Sequence, residues 1–139
     1  MTTVQVVESV AASAKAVWDI LSDFGGIKVG GPIEAFEIEG EGVGAVRTIT
    51  MNGGKVIERL DVHDADALTF AYSITNEDNP LPVSNYSATV KITANGDNAC
   101  TVDWSGTFEP KGADEETASK VVQGIYKGGI RGAQKTLGA

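Results

Sequence analysis

Apolar and polar residues alternate along most of the chain, which is the pattern of half-buried β-strands. The first alternating segment is Thr3–Val10. Six more follow, separated by short turns rich in Gly, Asn and Asp: Ala35–Glu39, Ala45–Met51, Val56–His63, Leu68–Thr75, Tyr86–Ala94 and Ala99–Glu109. Because such turns join neighbouring antiparallel strands, residues 33 to 110 are predicted to form a long antiparallel meander.

Two other segments have helical spacing. After the first strand, Ser13 can cap a short helix, and the glycine-rich stretch Gly25–Pro32 must interrupt it. At the other end, Asp114 can cap a long helix that continues to Leu137. Its predicted buried stripe is Ala118, Val121, Val122, Ile125, Gly129, Ala133 and Leu137. This order of elements predicts one α+β domain over residues 1–139, with a curved sheet around the long helix.

Composition and charge exclude several classes of protein. The 139 residues include 11 Lys and Arg and 19 Asp and Glu, so the net charge is −8, which argues against binding nucleic acid or anionic membranes. No apolar run approaches the roughly 20 residues of a membrane span. The N-terminus lacks the regions of a signal peptide, so we expect a cytoplasmic protein. With one cysteine and one histidine, no disulfide or metal site is expected, and the candidate functions below require no organic cofactor.

One carboxylate falls on the apolar face of a predicted strand. Side chains of a strand alternate between its two faces, and one face of the fourth strand carries Val56, Glu58, Leu60 and Val62. A buried carboxylate must be paired or hydrated, so Glu58 lines a wet cavity, lies at the end of the strand or forms a salt bridge inside the core. His63 is predicted on the opposite face, which disfavours a hydrolytic triad.

Tyrosines and glycines add further candidates for a pocket. Tyr72 and Tyr86 each combine an apolar ring with a polar tip, which suits an amphipathic ligand and equally suits the edge of a core. Gly124, Gly128 and Gly132 lie along one side of the last helix. Each costs about 1 kcal/mol relative to alanine, so they serve either close packing against the sheet or space for a ligand.

Several motifs resemble the START-like, Bet v 1-like (SRPBCC) superfamily. They are Glu58-Arg59-Leu60-Asp61, Phe70-Ala71-Tyr72-Ser73-Ile74, Pro80-Leu81-Pro82, Asn85-Tyr86 and the segment Val102–Pro110. Within it the chain is similar to bacterial polyketide cyclase/dehydrase-type proteins, plant abscisic acid receptors and lachrymatory factor synthase. The resemblance covers essentially the whole chain. It implies a helix-grip fold: a seven-stranded curved antiparallel sheet around a long C-terminal helix, two short helices after strand 1, and an apolar cavity.

The resemblance also implies site residues. Glu58 matches a pocket glutamate of the receptors and an acid/base of the synthase, Tyr72 and Tyr86 match cavity aromatics, and Leu81 matches the latch loop. Asp103 matches an acidic pocket position, whereas strand alternation places it outward. The complete set of expected ligand-binding residues is Glu58, Leu60, Phe70, Tyr72, Leu81, Tyr86, Asp103 and Ile125. The receptors' gate motif and hormone-anchoring lysine have no counterpart here, which argues against a hormone receptor.

Two main classes of function remain. One is an enzyme, a cyclase, dehydratase or isomerase of a carbonyl compound, with Glu58 as general acid/base and Tyr72 or Tyr86 as donor to a developing negative charge. The other is a carrier or sensor of a hydrophobic ligand such as a lipid, with Asn52–Gly54 and Asn76–Pro82 closing over the entrance. A partner-binding module would present an exposed apolar patch instead. The sequence leaves homodimer formation open.

Overall fold

Seven strands and two helices make up the computed structural model, which describes residues 1–139. The elements are β1 Thr2–Val10, α1 Ala14–Leu21, β2 Ile33–Glu39, β3 Val46–Met51, β4 Gly54–Asp64, β5 Thr69–Ile74, β6 Val83–Ala94, β7 Cys100–Pro110 and α2 Glu115–Leu137. The strands form one antiparallel sheet in the order β1-β7-β6-β5-β4-β3-β2. The predicted helix-grip fold is confirmed.

The segment between β1 and β2 contains one short helix instead of the two expected. Ser13 caps α1, its hydroxyl accepting a hydrogen bond from the Ala16 backbone N–H at 3.1 Å. After α1 the chain is irregular up to β2. Gly30 and Gly31 have φ values of 146° and 55° there, a conformation that a helix cannot contain. This irregular segment therefore borders the space beneath the sheet as a loop.

The last helix packs against β1, β7 and α1. Asp114 caps it by accepting a hydrogen bond from Thr117 N–H at 2.8 Å. Its buried residues are Ala118, Val122, Tyr126, Ile130 and Ala133. The predicted stripe was wrong at Val121 and Ile125, which are 37% and 39% exposed. Their side of α2 turns towards the open space between helix and sheet. Neither helix is long and apolar enough to cross a membrane.

A β-bulge changes the side-chain phase near the end of β4. Leu60 pairs with Tyr72, but Val62 pairs with Ala71, so Asp61 is an extra residue on β4. Up to Leu60 the predicted faces agree with the structure, since Leu60 is 2% exposed. Beyond the bulge they are reversed, and Val62 is 44% exposed.

Because of the same bulge, the predicted position of His63 was wrong. Its imidazole lies against Trp18 of α1, with 5.1 Å between the ring centroids, and not on the outer face as strict alternation predicted. Trp18 in turn contacts Phe70, at 6.0 Å between centroids. His63 is thus an aromatic neighbour of the core at the α1 side of the sheet.

We expect Leu60→Ala to lower the free energy of unfolding by about 2–5 kcal/mol, because it removes a fully packed side chain. Val62→Ala, two positions along the same strand but beyond the bulge, should change it by no more than about 0.5 kcal/mol. Urea denaturation of both variants measures this difference. Equal losses would show that the bulge is misplaced.

Candidate functional site

A cavity of about 640 Å³ lies between the sheet and α2. Its 21 lining residues, 13 of them hydrophobic, come from α1 and the loop after it, from β2–β5 and β7, from the β5–β6 loop and from α2. The volume falls within the roughly 300–1,000 Å³ of small-molecule sites. A wall that is mostly apolar with few polar groups suits a hydrophobic or aromatic ligand.

A buried ion pair is the most polar feature of the cavity wall. Arg47 and Glu58 face each other directly across β3 and β4. The Arg47 Nε donates a hydrogen bond to Glu58 Oε1 at 2.7 Å, and the two residues are only 9% and 7% exposed. Glu58 therefore lines the cavity and is also salt-bridged.

Arg47 is held on three further sides. Its Nη1 donates to the carbonyl oxygen of Phe24 at 3.2 Å. The guanidinium carbon lies 4.0 Å from the centroid of the Phe24 ring and 5.4 Å from that of Tyr72. Cation–π contacts of this kind favour a guanidinium over an aliphatic side chain. The positive charge is thus positioned before any ligand enters.

One side-chain atom of each partner forms no hydrogen bond within the protein. No protein group accepts from Arg47 Nη2 or donates to Glu58 Oε2. Every fully buried side-chain nitrogen or oxygen has a hydrogen-bond partner. Since these two atoms have none, they are not fully buried. Because both residues line the cavity, the free donor and the free acceptor are available to a ligand.

Tyr72 adds a hydroxyl to the same wall. It lines the cavity and accepts a hydrogen bond from Trp104 Nε1 at 3.2 Å. Burial, reinforced by the Glu58 carboxylate, raises the pKa of Tyr72 far above its ordinary value. The phenol is therefore protonated at neutral pH.

Tyr86 lies behind this wall and not in it. Its ring is 6.2 Å from that of Tyr72, and its hydroxyl is hydrogen-bonded to the Tyr126 hydroxyl at 2.5 Å. Burial raises the pKa of Tyr86 well above its usual value and that of Tyr126 to about 12. Tyr86 thus supports the cavity aromatics from the core instead of contacting a ligand.

The other expected site residues are divided between the cavity and its surroundings. Phe70, Leu81 and Ile125 line the cavity. Leu60 lies in the core and borders a second, more open cleft of about 680 Å³ next to α1. Asp103 needs a correction, because β7 pairs with β1 without a bulge and Asp103 stays on the outer face.

On that outer face, Asp103 accepts two hydrogen bonds from Gln5 Nε2, at 3.0 and 3.2 Å. Arg59 is also outside, where its Nε donates to Asp61 at 2.8 Å. Neither residue can reach a ligand inside. Sequence reasoning missed Arg47 and Trp104, which do line the cavity.

The glycines of α2 serve two different purposes. Gly124 and Gly128 line the cavity, and a Cβ atom at either position would meet nothing within 4 Å. A Cβ at Gly129 would lie 2.7 Å from the Trp104 ring, so that glycine allows close packing. Gly132 also has open space around it but does not line the cavity.

The two expected entrance loops contact each other. A Cβ on Gly54 would lie 3.2 Å from Pro80, so the β3–β4 turn and the β5–β6 loop touch. Buried Asn79 holds the second loop by accepting from Leu81 N–H at 3.0 Å and donating to the Asn76 carbonyl at 2.9 Å. This fixes Leu81 at the cavity. No three His, Cys, Asp or Glu side chains are grouped as a metal site would require.

A pH titration tests the burial of the phenols. The chain has three tyrosines, Tyr72, Tyr86 and Tyr126, and all three pKa values are raised in the folded protein. Tyrosines of the unfolded chain ionise at about pH 10. Stability should therefore be unaffected by these groups below that pH and should fall above it, because the unfolded chain then releases protons that the folded chain retains.

Ultraviolet absorbance should accordingly show no tyrosinate at about pH 10 while circular dichroism is still native. Tyrosinate should appear only together with unfolding. Ionisation of one tyrosine at that pH in the native protein would contradict its burial.

The open side of α2 yields a second expectation. Gly128→Leu should block uptake of N-phenyl-1-naphthylamine, an uncharged dye that fluoresces in apolar surroundings, because the new side chain occupies the cavity. Gly132→Leu is the matched control and should bind the dye as the wild type does. Both changes favour the helix by roughly the same ~1 kcal/mol. Equal binding by both variants would place the dye outside the cavity.

A family model described as polyketide cyclase / dehydrase and lipid transport matches residues 1–138. Among solved structures, the chain is similar to XoxI from Bacillus cereus, with 29% identity and a TM-score of 0.83 over 98% of this chain and 95% of that one. A search among curated proteins finds no match.

Two more distant structures share the fold. Norcoclaurine synthase from Thalictrum flavum, in complex with dopamine and hydroxybenzaldehyde, has 22% identity and a TM-score of 0.73 over 98% of this chain and 85% of that one. Ara h 8.0201 has 20% identity and a TM-score of 0.80 over 97% and 96%. With the family match over nearly its whole length, the chain belongs to the polyketide cyclase/dehydrase and lipid transport family of the Bet v 1-like (SRPBCC) superfamily.

Proposed function

We propose that the protein binds a small hydrophobic or aromatic carbonyl compound in the cavity and catalyses proton transfer on it, as a cyclase or dehydratase does. The observation that carries the proposal is the free Oε2 of Glu58 in an otherwise mainly apolar wall. A carboxylate that reaches a bound molecule without competing water is suited to general acid–base catalysis. Family membership is compatible with this reaction class.

The neighbouring groups suit the same step. When a carboxylate removes a proton next to a carbonyl, negative charge develops on the carbonyl oxygen. Arg47 Nη2 and the Tyr72 hydroxyl are both donors on the cavity wall, and both are fixed by other contacts. Glu58 would take the proton from the carbon next to the carbonyl and later return it to another atom of the substrate. Arg47 Nη2 and the Tyr72 hydroxyl would stabilise the enolate oxygen formed in between.

A carrier is the second candidate, and the ion pair is the observation that favours it. Glu58 already accepts a strong hydrogen bond from Arg47 at 2.7 Å, which is a satisfied structural state for a buried carboxylate. In a carrier, the remaining Oε2 would accept a hydrogen bond from a ligand hydroxyl and no proton would leave carbon. The family description includes lipid transport as well as cyclases.

Exchange of carbon-bound protons distinguishes the two candidates without knowledge of the natural substrate. In heavy water, the wild type should accelerate deuterium exchange next to the carbonyl of 2-tetralone, a bicyclic aromatic ketone, as followed by proton NMR. Glu58→Gln should lower the enzymatic exchange rate by on the order of 10²-fold or more, because it removes the base.

Asp61→Asn is the matched control, since it removes the same charge from the same strand on the outer face. It should exchange at the wild-type rate. Binding of 2-tetralone without accelerated exchange would favour the carrier. Unchanged exchange in Glu58→Gln would exclude Glu58 as the base.

A further inference from the structure

We infer that the cavity selects ligands whose polar end is uncharged and both donates and accepts hydrogen bonds, as a carboxamide, phenol or alcohol does. The inference rests on the proposed binding function but not on the proposed catalysis. It follows from the charges of the cavity wall, which cancel at the buried Arg47–Glu58 ion pair.

The charged side chains that line the cavity are few. They are Asp23, Arg47 and Glu58, and no lysine or histidine joins them. Asp23 is exposed, so water screens its carboxylate. Arg47 and Glu58 are both buried and carry opposite charges in direct contact. The interior wall therefore has no net charge to offer a ligand.

A charged ligand would upset this balance. A carboxylate that approached Arg47 would have to share the guanidinium with Glu58 and would leave one negative charge in excess. An ammonium that approached Glu58 would leave one positive charge in excess. An uncompensated charge in a poorly hydrated site is strongly unfavourable, while a neutral polar group avoids that penalty.

The two free atoms also specify which hydrogen bonds the polar end of a ligand must form. Arg47 Nη2 can only donate and Glu58 Oε2, when ionised, can only accept. Each is separated by one carbon from an atom of the 2.7 Å Nε–Oε1 hydrogen bond, so the two lie close together. A carboxamide fits this arrangement because its oxygen can accept from Arg47 while its N–H donates to Glu58. A hydroxyl can make the same two bonds through one oxygen.

The cavity leaves room for an apolar body behind such a group. Phe70 and Trp104 supply aromatic surface, and Gly124 and Gly128 leave open space along α2. An aromatic ring can thus lie between sheet and helix while its polar substituent reaches the ion pair. The preferred class is an aromatic or alkyl compound with one neutral amide or hydroxyl group.

Isothermal titration calorimetry with three related probes tests the inference. 2-Naphthamide and 2-naphthoate have nearly the same shape and differ in charge, and 2-naphthylmethylamine supplies the cation. The wild type should bind the amide on the order of tenfold or more tightly than either charged probe.

Variants then locate the cause of the preference. Glu58→Gln leaves the Arg47 charge uncompensated, so the affinity for naphthoate relative to the amide should rise on the order of tenfold or more. Asp61→Asn, with the same change of net charge outside the cavity, should keep the wild-type ratio. Circular dichroism confirms that each variant is folded.

Each other outcome has a distinct meaning. The inference is overturned if the wild type binds naphthoate as tightly as naphthamide. It is also overturned if Glu58→Gln changes the ratio of the two affinities no more than Asp61→Asn does. If N-phenyl-1-naphthylamine still binds in that case, the cavity's binding function stands without the charge selection. If neither the dye nor any naphthalene probe binds, the proposed binding function fails and the inference with it.

Discussion

The Arg47–Glu58 ion pair is the constraint on which the site depends. Two charged side chains on the inner face of a sheet are tolerable only together, because removing one partner of a buried pair typically costs about 3–5 kcal/mol. Here the pair is reinforced by the Phe24 carbonyl and by two aromatic rings. Its position across β3 and β4 gives a mainly apolar interior one buried pair of charges, with a donor and an acceptor left free.

The space in front of this pair is maintained by packing elsewhere. Trp104 stacks on Tyr126 of α2 at 4.9 Å and donates to Tyr72, so helix and sheet are joined through aromatic groups beside the cavity. Gly129 permits that approach, since a side chain there would collide with the Trp104 ring. Gly128, next to it in the sequence, and Gly124, about one turn earlier, leave the wall empty. Close contact at Gly129 and missing side chains at Gly124 and Gly128 thus hold α2 against the sheet and leave the cavity open.

Much of this could be predicted from the chain. Alternation and the turn residues indicated the strands, and the apolar neighbours of Glu58 indicated an inward carboxylate. Arg47 could also have been found: the Asn52-Gly53 turn pairs Met51 with Gly54, and counting back along β3 and forward along β4 places Arg47 opposite Glu58.

Other features depend on tertiary structure that local patterns do not encode. The bulge at Asp61 adds one residue to β4 without any glycine or proline to mark it, which is why the side chains of Val62 and His63 were assigned to the wrong faces. On α2, Val121 and Ile125 are apolar as core residues are, but they border an open cavity. Only the placement of the helix over the sheet distinguishes such positions from the core.

The three arginine side chains offer the most direct test of the central claim, that ligands meet the ion pair inside the cavity. Arg47 lines the cavity, whereas Arg59 and Arg131 are exposed outside it, so their Nε–H signals in an NMR spectrum form one reporter and two internal controls. On titration with 2-naphthamide, the account predicts a saturable shift of the Arg47 signal alone. An unchanged Arg47 signal in the presence of bound ligand would contradict it.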